Sequence, residues 1–151
     1  MFDINNGIDI NNTTVAAALT ALSTQKGIEG WWTRTCSVDV KHASYAFPRG
    51  DGTQKLMAFD VKRFAADGID LVCTSHVQNP DWLGTKLSFA AKATSSGVRV
   101  SLVHAGYPSR NECYDDCVKG WAFFLGSLKE YLETGVGKPF GSGHMGEQKA
   151  A

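Results

Sequence analysis

Residues 36 to 134 carry two hydrophobic periods in succession, first two and then the helical 3.6, and this change most constrains the fold. Gln54 to Phe64 places Met57, Phe59 and Val61 on one face, and Ile69 to Val77 alternates at Ile69, Leu71, Cys73 and Val77. Thr85, Leu87, Phe89, Ala91 and Ala93 then share a face opposite Lys86, Ser88, Ala90 and Lys92. Val98, Val100, Leu102 and His104 do the same opposite Arg99, Ser101 and Val103. Gly50-Asp51-Gly52, Ala66-Asp67-Gly68 and Ser95-Ser96-Gly97 punctuate the runs as turns, and Asn79-Pro80-Asp81 breaks the third. One-sided alternation through successive hairpins predicts an antiparallel sheet with one covered face.

What covers that face is the helix predicted from Asn111 to Thr134. Its Tyr114, Cys117, Val118, Trp121, Phe124, Leu125, Leu128, Tyr131 and Leu132 make an apolar stripe wider than one sheet edge requires. Gly135 stands at the C-cap position with Pro139 beyond it. Upstream, Phe2 to Ile10 reads as an edge strand. Asn11 and Asn12 offer caps for a helix through Leu22, and Ser23-Thr24 for a weaker one running into Gly30-Trp31-Trp32. Shorter strands are expected at Ser37 to Lys41 and Ala43 to Pro48. The order is a strand, two short helices, about six strands and one long helix, which is α+β. A chain of 151 residues fits one domain, expected here over residues 1–140, with 141–151 as a loose polar tail.

Charge and composition narrow the function classes. Fifteen basic residues balance fifteen acidic ones, so no electrostatic footprint for nucleic acid is present. No run approaches the roughly 20 apolar residues of a membrane span, and Met1 to Asn12 lacks the pattern of a secretion signal, so the expected location is the cytoplasm. Cys113 and Cys117 are one helical turn apart, but no Cys-x-x-Cys or His-x-x-x-His accompanies them, and buried thiols are the expectation rather than a metal site. There is no Gly-x-Ser-x-Gly, no phosphate-binding glycine loop and no ordered Cys–His–Asn set. Neither catalytic residues nor a cofactor are therefore assigned.

The order of elements resembles the helix-grip fold of the START-like, or SRPBCC, superfamily. Ala18-Leu19-Thr20 followed by Gly30-Trp31-Trp32, then Trp82-Leu83-Gly84-Thr85 with Phe89, are similar to the branch related to the Hsp90-ATPase activator C-terminal domain. Val100, His104 and Gly106, and the closing run from Trp121 through Leu125, Ser127-Leu128-Lys129 and Tyr131-Leu132 to Glu133-Thr134-Gly135, fit the same branch. The resemblance spans residues 8 to 140. It implies a curved antiparallel sheet wrapped around the terminal helix, with a cavity between them for a hydrophobic small molecule.

On that reading Trp32, Phe47, Phe59, Phe89, Leu102, Trp121 and Phe124 wall the cavity, and His104 orients a polar group or rests as a neutral buried imidazole. Trp82 stands at the rim or covers one end of the core. His76 falls opposite Leu71 and Cys73 and is expected to be exposed. Tyr107, Tyr114 and Tyr131 offer hydroxyls, Asp115 and Asp116 suit a helix N-terminus, and Arg110 reads as a solvated charge. The alternatives carried are a cyclase, dehydratase or hydrolase using His104 and a tyrosine, and a protein-interaction module of the chaperone-activator kind. The resemblance also leaves room for a homodimer.

Overall fold

The computed structural model describes residues 1–48 and 51–142. Gly50 of the predicted turn and most of the predicted tail lie outside them. Seven strands form one antiparallel sheet in the order β1-β7-β6-β5-β4-β3-β2. These are β1 (Phe2–Asn11), β2 (Thr35–Val38), β3 (His42–Pro48), β4 (Gln54–Ala65), β5 (Gly68–Val77), β6 (Lys86–Ala93) and β7 (Gly97–Tyr107). Strands β1 and β2 are consecutive in sequence yet occupy opposite edges. The helices α1 (Val15–Ser23) and α2 (Gln25–Trp31) carry the chain across the covered face between them. The long helix α3 (Glu112–Thr134) follows β7 and packs against β1, α1 and α2. The sheet bends where register breaks at Phe2/Ile4, Ala58/Phe59 and Val61/Arg63, as bulges dictate.

Local chemistry fixes each helix end. The α1 cap is Thr14, not the predicted Asn11 or Asn12: its Oγ1 accepts from Ala17 N at 3.1 Å, while Asn12 turns at φ 55° and donates its N–H to Ser96 O. Thr24 caps α2 in the same way, and Asn111 Oδ1 accepts from Tyr114 N at 3.0 Å to start α3. Gly135 ends α3 in the left-handed conformation at φ 87°, donating its N–H to Tyr131 O. Helix α3 is tied to β1 at both ends. Tyr114 Oη donates to Asp3 O at 2.8 Å near its start, and Lys129 Nζ donates to Asp9 O at 2.9 Å near its finish.

The covered face is the core. Ile4, Ile10, Met57, Phe59, Ile69, Leu71, Leu87, Phe89, Val98, Val100 and Leu102 point inward from the strands, and Trp31, Trp32, Trp121, Leu125 and Leu128 meet them from the helices. Ser127 Oγ donates to Trp31 O and accepts from Lys138 N, both at 2.7 Å. This joins α3 to α2 and to the segment beyond it. That segment returns to bridge Thr33 with Phe140.

The glycine at position 27 is required by packing. A Cβ there would run into the backbone of α1 at Thr20 and Ala21, which cannot yield as a flexible side chain would. Gly27→Ala, although it raises helix propensity, is expected to lower stability by about 1–3 kcal/mol through overpacking, read as a lower urea midpoint at unchanged slope.

Candidate functional site

The eight predicted site residues, Trp32, Phe47, Phe59, Phe89, Leu102, His104, Trp121 and Phe124, are all buried on the covered face. Seven of them carry rings, and these pack into one aromatic cluster together with Tyr45 and Trp82. Trp121 of α3 is central, with centroids 5.1 Å from Trp32, 6.0 Å from Phe89, 6.3 Å from Trp82 and 6.0 Å from the His104 ring. Phe47 meets Phe124 at 6.3 Å, and Phe59 meets Trp82 at 6.2 Å. Edge-on and tilted geometries dominate, as aromatic quadrupoles favour.

His104 is fully partnered inside this cluster. Trp121 Nε1–H donates to its Nδ1 at 3.2 Å, which makes Nδ1 the acceptor and puts the ring proton on Nε2. Nε2 lies 2.9 Å from Thr85 Oγ1, and Thr85 in turn donates to Trp82 O at 2.6 Å. The Tyr107 hydroxyl lies 3.0 Å from the same Nδ1. Burial holds the His104 pKa down to about 3, and burial pushes the Tyr107 phenol far above its ordinary range, so both are neutral near pH 7. Tyr114 is likewise committed through its hydroxyl to Asp3, and the Tyr131 ring packs over Gly30. Arg110 is exposed, as expected of a solvated charge, and its guanidinium lies 5.5 Å over the Tyr114 ring.

His76 departs from the sequence expectation, and so does Val77. Ser75 pairs with Ala58 and Cys73 with Phe59, leaving Thr74 as an extra residue on β5. The bulge shifts the alternation by one, which turns His76 inward at 8% exposure and Val77 outward at 49%. The His76 ring packs edge-on to Trp82 with centroids 4.9 Å apart. Its Nδ1 lies 2.8 Å from Val77 O, and because a carbonyl only accepts, Nδ1 carries the proton. The lone pair on Nε2 is then buried with no hydrogen-bond partner among the described residues. Burial, with the Lys55 charge adding to it, lowers the His76 pKa to about 4.

A cleft of about 360 Å³ opens at this end of the sheet, and His76 is not among the residues that line it. It lies between the end of β5, the short 3-10 turn Pro80–Trp82 and the first turns of α3, lined by Lys55, Gln78, Asn79, Pro80, Asp81, Cys113, Asp116 and Cys117. Gln78 adopts φ 81°, unusual for a residue with a Cβ. Asn79 Nδ2 donates to Cys113 Sγ, and Asn111 Nδ2 donates to Asp81 Oδ2 at 2.9 Å, so the turn is fastened to the helix. Cys117 is buried and accepts from Trp82 Nε1 at 3.3 Å; Cys113 is half-buried, not enclosed as expected. Burial pushes the Cys117 thiol up to about 11, which keeps it a neutral thiol. Asp115 and Asp116 do lie near the helix start, but Asp116 also faces the cleft. Trp82, left between rim and cover by its sequence position, is 1% exposed: it closes the end of the core and backs the cleft.

Lys55, Gln78 and Asn79 carried no sequence signal as site residues. Lys55 is distant in the chain from the adjacent Gln78 and Asn79, and they meet only because β4 and β5 pair and the 3-10 turn folds onto α3. Among the described residues no group of three His, Cys, Asp or Glu is placed to hold a metal ion, and no helix is long and apolar enough to cross a membrane.

A seven-stranded antiparallel sheet closed over a long C-terminal helix, with two short helices after its first strand, is the helix grip of the START-like superfamily. Within it the chain is similar to Aha1-like proteins. The Aha1 dimer from Colwellia psychrerythraea superposes with a TM-score of 0.76 at 27% identity, covering 91% of this chain and 100% of that one. An AHSA1-like protein from Aeromonas hydrophila gives 0.65 at 18% identity over 86% and 91%. DynU16, from the dynemicin biosynthetic locus, gives 0.68 at 14% identity over 89% of this chain and 48% of its own; these last two likenesses concern the fold alone. No family model and no curated protein sequence matches the chain.

The two neutral histidines predict an acid-sensitive fold. An unfolded chain takes up their protons near pH 6.5, whereas the folded one holds off until about 4 for His76 and about 3 for His104. In that interval the unfolded state binds more protons, so stability is full above pH 6.5 and falls as pH drops. Urea unfolding should lose about 1 kcal/mol per histidine between pH 7 and pH 5.5, and His76→Phe should lose about half as much over that interval as the parent chain.

Proposed function

We propose that this chain is a cytoplasmic binding or carrier domain for a largely apolar small molecule, held where the sheet and α3 part at the end of the sandwich. The observation that carries the reading is the cleft of about 360 Å³ backed by Trp82 and Cys117, a size within the range of small-molecule sites. Apolar ligand surface buried there contributes roughly 25 cal/mol per Å². None of the predicted residues Trp32, Phe47, Phe59, Phe89, Leu102, Trp121 and Phe124 lines this cleft; they pack in the core, and a ligand that goes deeper must part their side chains. The resemblance to the helix-grip fold supports the same reading, since that fold sets a helix against a concave sheet face.

Acid–base catalysis by His104 and a tyrosine is not favoured. Both His104 nitrogens are engaged by Thr85, Trp121 and Tyr107, so the residue braces α3 against β7 instead of presenting a free proton or lone pair.

Titration with a panel of fatty acids, flavonoids, sterols and naphthols, followed by indole NMR resonances, tests the carrier reading. At least one member should shift the Trp82 indole signal saturably, and Cys113→Phe, which fills the cleft, should weaken that binding at least tenfold without changing the far-UV spectrum. A panel that leaves the Trp82 signal unmoved would sink the reading.

Self-association is a second part of the proposal. The similar Colwellia structure is of a dimer, and β1 and β2 are terminal strands of the sheet here. Sedimentation equilibrium should give twice the 16.3 kDa chain mass at micromolar concentration; a monomer across that range removes this part.

A further inference from the structure

Cys113 and Cys117 form a pair that the fold arranges and the carrier reading does not use. They stand one turn apart at the start of α3, both line the cleft, and their thiols lie within hydrogen-bonding reach of each other. Cys113 is half-buried and Cys117 buried, so a small entrant meets Cys113 first. Three donors surround the two sulfurs. Asn79 Nδ2–H is given to Cys113 and Trp82 Nε1–H to Cys117 at 3.3 Å, and the Tyr107 hydroxyl, shared with His104, also lies within reach of Cys117. A thiol sulfur is a weak acceptor, and donors in this number suit a sulfur that carries negative charge. The first turn of a 23-residue helix adds the positive end of its dipole. Burial works the other way on Cys117 and holds its thiol protonated. A bound cation resolves that conflict, because it displaces the proton and neutralises the charge that burial disfavours.

The spacing decides what the pair can hold. Cβ atoms four residues apart on a helix are separated by about 5–6 Å, whereas a disulfide needs about 3.5–4.5 Å, so closing one would unwind the turn. Metal–sulfur bonds of about 2.3 Å set two sulfurs about 4.6 Å apart across a linear ion, a span that helical spacing allows. Zinc would want four ligands, and among the described residues no third His, Cys, Asp or Glu joins the pair. Ions content with two soft ligands remain, and thiolates select Cu(I). The charged groups on the cleft wall agree with this. Asp81 and Asp116 outnumber Lys55, which favours entry of a cation; once two thiolates hold a monovalent ion the centre carries one net negative charge, which Lys55 complements.

We propose that Cys113 and Cys117 form a two-sulfur site for a soft monovalent cation, copper(I), in the wall of the cleft. Binding exchanges the two thiol protons for the ion: one Cu(I) and two S–H groups give an anionic dithiolate complex and two released protons, with no change of oxidation state. No apolar ligand is required, so this site stands or falls apart from the carrier reading.

The test is anaerobic titration of the reduced full chain with Cu(I), with bicinchoninate as coloured competitor and a large excess of reduced glutathione present. One ion per chain should be held against glutathione, with a near-ultraviolet thiolate-to-copper absorption and a two-coordinate, all-sulfur shell by X-ray absorption. Cys113→Ser, a small change at a half-buried position, should weaken binding at least a hundredfold, while Cys36→Ser on β2 should leave it unchanged. The parent protein supplies a readout free of any variant's folding: the Asn79 side-chain amide resonances should shift saturably with one equivalent of the ion. Loss of the ion to glutathione, one ion shared between two chains, a shell containing nitrogen or oxygen, or comparable binding of Zn(II) overturns the proposal. So does full affinity in Cys113→Ser, an equal loss in Cys36→Ser, or an unmoved Asn79 amide.

Discussion

Trp121 is the contact on which the arrangement depends. Its ring fills the space between α3 and the sheet, touching Trp32 at the C-cap of α2, Phe89 from β6 and Trp82 from the turn before β6. Its Nε1–H bonds to His104 on β7, so the helix is located by direction as well as by area. Apolar burial alone would let a broad stripe such as that of α3 rotate or slide over the sheet at little cost, since dispersion and hydration are not directional. A buried donor must find its acceptor, and here Trp121, His104, Thr85 and the Trp82 carbonyl satisfy one another in sequence. That chain ties the helix to β7 and to the turn between β5 and β6.

The same turn builds the cleft. Because Thr85 anchors the Trp82 carbonyl, the 3-10 turn is held down at its inner end, and Asn79 and Asp81 fasten its outer end to Cys113 and Asn111 of the α3 start. The open space left between these fastenings and β4 is thus bounded by an element with little freedom of its own. Preorganisation of this kind lowers the ordering cost of binding.

Much of this was legible in the chain. Strands β4 to β7 declared themselves by alternation, α3 by its stripe and Gly135, and the inward set from Trp32 to Phe124 by sharing those faces. Period-two reasoning failed at one place for one reason. It assumes an unbroken strand, and the extra residue at Thr74 inverted every side chain after it, so that His76 and Val77 exchanged faces. Nothing in Cys73-Thr74-Ser75-His76 marks a bulge, because small polar residues suit an ordinary exposed strand end equally well. The cleft was invisible for a different reason: Lys55, Asn79 and Asp116 belong to three elements, and their meeting is a property of topology rather than of any local pattern. Asn79-Pro80-Asp81 read correctly as a break, but a break shows where a strand stops and not what the turn is fastened to.

The two buried histidines differ in how completely the fold satisfies them. Both are neutral, both lie against Trp82, and both were accessible to sequence reasoning only as residues on one face or the other. His104 sits three residues from the end of β7, beside that strand's own register break, where neighbouring elements supply a donor and an acceptor for its ring. His76 sits one bulge from the strand end, where the protein runs out of elements before the ring runs out of valences. The bulge in β5 thus brings a polar side chain inside without bringing a partner for its second nitrogen. Both residues lie near a register break and a strand end, so the asymmetry between them comes from the partners within reach: Thr85 and Trp121 complete the His104 ring and with it the placement of α3, whereas no described residue completes His76.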